Sequence, residues 1–331
     1  MLITSILVMF IAALLIYFSC ELFVNAIEWV GRTFNISQNA VGTVLAAFGT
    51  ALPESVVTFI AVVFGTNSSQ KDIGVGAALG GPLVLSTLAY AIVGLSIISF
   101  RNKRKLGSHI NVDGKKLGRD QLWFLCIFIF KVGLGFVAFA IKPWLGILFI
   151  IAYIFYFFTE IRTKREEVQG KLEPLKFAPK NLNPKKSIIL IQTLFSLTLI
   201  FIGSQLFVHN LDTFSISLGI PAHIVALFLS PVATELPEIL NALIWVKQGK
   251  EKLALANISG SMMIQATVPS ALGIMFTPWI FDKSLAFSAI ITFVSILFLY
   301  ITLRKNHLSV KRLSFTAIFY IVFAIGMLII R

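Results

Sequence analysis

The sequence predicts an all-α polytopic membrane protein, with ten transmembrane helices arranged as two inverted-topology five-helix repeats. Three observations lead there. The chain of 331 residues is 57% hydrophobic and 13% charged, with a mean hydropathy of +0.89, whereas a soluble globule carries about 25% charged residues. Its apolar residues gather in stretches of about 20 or more, the length at which a helix crosses a bilayer. Finally, Glu21-Leu22-Phe23-Val24 precedes Glu54 by the same 33 residues that separate Gln205-Leu206-Phe207-Val208 from Glu238. Between these anchors Ile36, Val41 and Thr50 match Ile220, Val225 and Thr234 without a gap, as in a duplicated half.

Apolar stretches broken by polar punctuation give spans near 3–30, 38–65, 73–100, 121–140 and 143–160, then 187–212, 221–247, 250–276, 279–303 and 312–330. The first is expected to be a retained helix, because Met1-Leu2-Ile3-Thr4 lacks the basic region of a signal peptide. With an odd number of spans per half, the second copy enters the membrane from the opposite side, and a site is expected where the halves meet. The expected units are a first repeat over 1–160, a cytoplasmic linker over 161–186 and a second repeat over 187–331. The linker, with Arg162-Thr163-Lys164-Arg165 and prolines at 174, 179 and 184, reads as a solvated segment whose cations touch anionic lipid headgroups.

The net charge of +13 does not indicate a nucleic-acid partner, because the lysines and arginines sit in short loops between spans. With both termini outside, 23 of them fall on cytoplasmic loops and four (Lys71, Lys142, Lys283 and Arg331) on the outer side, the bias of the positive-inside rule. The protein is therefore expected in the cell membrane with both termini extracytoplasmic. Cys20 and Cys126 lie within apolar spans and form no disulfide framework. The sequence contains no phosphate-binding glycine loop with its lysine, no serine nucleophile elbow and no metal-ligand pair of histidines, which argues against ATP-driven transport and hydrolysis. No enzyme activity, cofactor or obligatory protein partner is expected, only cations as cargo and membrane lipids as surroundings.

The candidate chemistry lies in Thr50-Ala51-Leu52-Pro53-Glu54 and its return as Thr234-Glu235-Leu236-Pro237-Glu238. A carboxylate at membrane depth is costly and reads as functional by default. Proline removes an amide donor and frees the carbonyl four residues back, here on Gly49 and Ala233. Carboxylates and loose carbonyls together suit a hard cation. Glu235 lies three residues before Glu238, on roughly the same helical face, where it either joins the site or points at neighbouring helices. Thr50 and Thr234 add hydroxyls one turn away. In the eighth span Asn257, Ser259, Ser261 and Gln265 are further polar candidates, while Gly76, Gly80, Ala256 and Gly260 read first as close helix packing. Lys131, mid-span, must face protein or pair with a carboxylate.

Gly49-Thr50-Ala51-Leu52-Pro53-Glu54 and Ala233-Thr234-Glu235-Leu236-Pro237-Glu238, each followed by a Gly-rich helix start, resemble the two alpha repeats of the sodium/calcium exchangers in the calcium/cation antiporter superfamily. Those repeats would here cover 49–82 and 230–265. The resemblance implies that Glu54 and Glu238 coordinate calcium, and that Thr50, Thr234 and nearby carbonyls serve sodium. It departs from the family at Ala51 and Glu235, where the family has serine, and at Pro82 and Met262, where it has an asparagine or aspartate ligand. The function implied is secondary cation antiport, sodium against calcium, with proton coupling, or an uncoupled channel or sensor on the same fold, as alternatives.

Overall fold

The computed structural model describes residues 2–33, 46–103, 107, 110, 114–162, 173–181, 183–247, 249–304 and 308–330. Among them every regular element is helical: α1 (Leu2–Thr33), α2 (Ala46–Val63), α3 (Ser68–Val84), α4 (Tyr90–Ser99), α5 (Gly114–Leu134), α6 (Gly146–Arg162), α7 (Lys186–Leu218), α8 (Ala222–Thr234), α9 (Leu236–Lys247), α10 (Glu251–Phe276), α11 (Lys283–Arg304) and α12 (Val310–Ile330). Among the described residues, seven continuous segments are long and apolar enough to cross a membrane, α3 and α4 counting as one, and the pair α8–α9, bent by 45°, makes an eighth. The chain is thus a multi-pass integral membrane protein.

Helix bounds differ most from expectation in two spans. The fourth span runs Gly114–Leu134 rather than 121–140, because its polar start continues the helix. The helix stops where Gly135 packs against the Phe281 ring and its carbonyl accepts the Phe281 amide at 2.8 Å. The sixth runs to Leu218, six residues beyond the expected end, and closes on Gly219 in the left-handed region (φ 61°), where a β-carbon is disfavoured.

A π turn at Leu85–Ala89 joins α3 to α4 just after Pro82. Backbone freed in such a turn must find partners inside a membrane protein. Ser295 on α11 donates to the Ser86 carbonyl at 2.7 Å, and Thr316 on α12 donates to the Thr87 carbonyl at 2.8 Å. The principal helix pairs are α1 with α7, α3 with α8, α2 with α10, α2 with α3, α4 with α12, α5 with α11 and α6 with α10. At the α3–α8 crossing, a β-carbon on Gly76 would collide with the His223 carbonyl, and one on Gly80 would sit 2.9 Å from the Leu227 carbonyl, so backbones meet there. The outer faces of α1, α6 and α12 expose Phe10, Ile151 and Leu328, whereas serines, threonines and glutamines are buried within, the distribution expected of a protein solvated by lipid.

The linker departs from the solvated reading in its described part. Trp29 donates to the Glu173 carbonyl at 3.0 Å, Asn25 to the Pro174 carbonyl at 3.2 Å, and Gln192 accepts from the Phe177 amide at 2.9 Å. Leu175 is fully buried against Trp29 and Ile189. Residues 173–177 therefore tie α1 to α7. A short, proline-containing segment with charges on either side of Leu175 gives the sequence little to reveal this.

Candidate functional site: a buried carboxylate pocket

α2 passes through Pro53 without a break and carries Glu54 into the interior. The matched step in the second half behaves differently. α8 ends at Thr234, Glu235 takes φ −95°, ψ −5°, and α9 begins at Leu236. Pro237 cannot donate to the Ala233 carbonyl, so the ladder opens there. The break is held by the Glu235 amide on the Pro231 carbonyl (2.8 Å) and the Ile239 amide on the Glu235 carbonyl (3.1 Å). Glu235 therefore sits in a helix break, and Glu238 in the first turn of α9, where the amide dipoles favour negative charge.

Glu54, Glu235 and Glu238 are each 0% exposed. The Thr234 hydroxyl lies 2.7 Å from Glu54 Oε2 and 2.9 Å from Glu235 Oε1, and 3.1 Å from the Ser230 carbonyl. It has one hydrogen to donate, so two carboxylates from different repeats compete for it. Gln265 on α10 donates to Glu235 Oε2 at 2.7 Å, and Ser261 on α10 lies 3.4 Å from Glu238 Oε1. Glu54 Oε1, Gln265 Oε1 and the Ser230 hydroxyl, all buried, have no hydrogen-bond partner among the described residues. Gly81 lets Gln265 in: a β-carbon there would stand 2.7 Å from Gln265 Oε1. Buried acceptors without donors are expensive, and a cluster of them beside two carboxylates is short of positive charge.

The structure thus brings together Glu54, Thr234, Glu235 and Gln265, with Ser261 against Glu238. The Asn257 amide, 8% exposed on the same helix, hydrogen-bonds to none of them. Ala233 is buried at the break, while Gly49 lies in α2 and the Thr50 side chain is outside what the structure describes. Lys131 is fully buried and bonds to the Ala78 carbonyl at 3.1 Å and the Ser270 hydroxyl at 3.0 Å. Ser230 and Ser270 went unnoticed in the sequence. Pro82 and Pro269, four residues after Ala78 and Gln265, were the available signal that those two carbonyls lack helix donors.

Comparison with known proteins gives the family. The sequence model of the family described as sodium/calcium exchanger protein matches residues 4–162 and 188–329. The chain belongs to that family. An uncharacterized membrane protein of Methanocaldococcus jannaschii is 26% identical over 264 residues, covering 80% of this chain and 79% of its own. The inner membrane protein YrbG of Escherichia coli is 24% identical over 303 residues, covering 89% and 88%. Among solved structures, an H+/Ca2+ exchanger, CAX, superposes with a TM-score of 0.77 at 17% identity, over 98% of this chain and 82% of that one. The sodium-calcium exchanger NCX_Mj, soaked with Na+ and Sr2+, superposes with a TM-score of 0.60 at 22% identity, over 97% and 98%. The chain has the fold of these cation exchangers, and its family is one of membrane antiporters rather than enzymes.

Proposed function

We propose that this exchanger-family protein carries calcium or a related divalent cation against sodium, by alternating access around Glu54, Glu235 and Glu238. The observation that carries the reading is the convergence of Glu54 Oε2 and Glu235 Oε1 on one hydroxyl hydrogen, beside buried acceptors that lack donors. A hard cation, which takes six to eight oxygens, would satisfy carboxylates, the Gln265 amide oxygen and the Ala233 carbonyl together. Glu235 then supplies negative charge that Met262 does not.

Ten spans as two inverted five-helix repeats, 1–160 and 187–331 about the linker, fit the helix pairing. Exchanging first-half and second-half spans turns the α3–α8 pair into the α10–α2 pair, and α4–α12 into α10–α6, while α1–α7 and α5–α11 map onto themselves. The lysine and arginine bias supports extracytoplasmic termini. A cysteine at Ser68 is expected to react with an impermeant thiol reagent added outside, and one at Lys115 to resist it; the opposite pattern would invert the orientation.

Proton coupling is the second reading, because a proton also relieves two carboxylates that share one donor. Calcium uptake into proteoliposomes separates the two. Uptake driven by an imposed sodium gradient supports sodium exchange, uptake driven by a proton gradient alone supports the second reading, and flux that follows neither gradient argues for a channel.

A further inference from the structure

We propose that Lys131 is a tethered counter-ion of the glutamate pocket, setting how much cationic charge the pocket takes up; this rests on the reading of that pocket as the cation site. Lys131 is 0% exposed, and no carboxylate lies within ion-pair distance of it among the described residues. Its amine donates to the Ala78 carbonyl and the Ser270 hydroxyl and lies 5.0 Å from the centre of the Phe128 ring, an arrangement that favours a cation.

These partners are the two helices that wall the pocket. Pro82 deprives the Ala78 carbonyl of its helix donor on α3, and Pro269 does the same to the Gln265 carbonyl on α10. Lys131 takes the first directly and reaches the second through Ser270, whose hydroxyl lies 3.3 Å from the Gln265 carbonyl. The Gln265 side chain continues to Glu235, and Thr234 joins Glu235 to Glu54. Only one residue's backbone and side chain separate the amine's partner from a pocket carboxylate.

A hydroxyl would satisfy the freed carbonyls as well as an amine does, so satisfying backbone does not by itself call for lysine. What lysine adds is charge. Three buried carboxylates and one ammonium leave two uncompensated negative charges, the complement of one divalent cation or a pair of monovalent ones. Without the ammonium the pocket would have room for one more. Ala78 is one helical turn, about 4.5 Å along the axis, from Gly81, which lines the pocket. At such separations, through a low-dielectric interior, a unit charge alters cation affinity by at least about tenfold.

The test is calorimetric titration of the purified full-length protein with calcium, in the absence of sodium and then in competition with it. Lys131→Met is expected to bind calcium at least about tenfold more tightly and to release one more sodium ion per calcium, whereas Lys131→Arg keeps the wild-type values. Ser270→Asp, which leaves the amine in place and neutralises it, is expected to reproduce the gain. Ser270→Ala, which removes only the strut, is expected to lower the melting temperature without changing the sodium count. Unchanged calcium affinity and sodium count in a folded Lys131→Met protein would overturn the proposal. So would unchanged values in folded Ser270→Asp, even if Lys131→Met fails to fold. Wild-type protein that binds neither ion would overturn the antiport reading as well, whereas wild-type binding with unresponsive variants overturns only the role of Lys131.

Discussion

The proline-glutamate step occurs once in each half, and the two copies fold differently. In α2 the helix continues through Pro53, the residue before the leucine-proline pair is Ala51, and one glutamate is delivered. Between α8 and α9 the helix breaks, Glu235 occupies the position of Ala51, and two glutamates are delivered from a 45° bend. The second half also has a second proline, Pro231, whose carbonyl accepts the Glu235 amide in the last turn of α8. Matched motifs therefore place matched carboxylates, while the residues between them decide how much charge each half contributes. The helices that follow differ in the same way. α3 gives way to a π turn after Pro82, whereas α10 runs from Glu251 to Phe276 through Pro269 and presents Ser261 and Gln265 to the second-half glutamates.

The largest effect expected from this comparison comes from the residues the halves share. Glu54→Gln and Glu238→Gln each remove a carboxylate that the repeat supplies, and each is expected to reduce cation exchange in proteoliposomes to the level of empty vesicles. Residual exchange in either variant would mean that one half suffices. A smaller effect is expected where the halves differ. Glu235→Ser should weaken divalent binding by at least about tenfold, or roughly 1.4 kcal/mol, since a unit charge is lost from a low-dielectric site. Adding Met262→Asp should restore much of it. Calorimetry showing unchanged affinity in Glu235→Ser would place the second half's extra carboxylate outside the cation's reach.

Much of this architecture was legible in the sequence, because lipid demands long apolar helices and a gapless repeat anchors the two glutamates. Helix lies on each expected span where residues are described, and Glu54, Thr234, Glu235 and Gln265 meet. The break at Glu235 was not legible, since Pro53 and Pro237 look alike in sequence and only the packed context separates a continuous helix from a bent one. Nor were the partners of Lys131 or the docking of Leu175, which rest on backbone carbonyls and on a single apolar residue. Asn257, a polar candidate on the same helix as Ser261 and Gln265, forms no hydrogen bond to the glutamates among the described residues.

The central claim is that Glu54 and Glu235, carboxylates from opposite halves, hold one cation between them. Anomalous diffraction from crystals grown with strontium tests it most directly. The account predicts a peak within coordination distance, about 2.3–2.6 Å for the smaller calcium ion, of oxygens from both glutamates, lost in Glu54→Gln crystals. A peak confined to the outer cavity of about 290 Å³ lined by Asp72, His223 and Asp282, with none between Glu54 and Glu235, would contradict it.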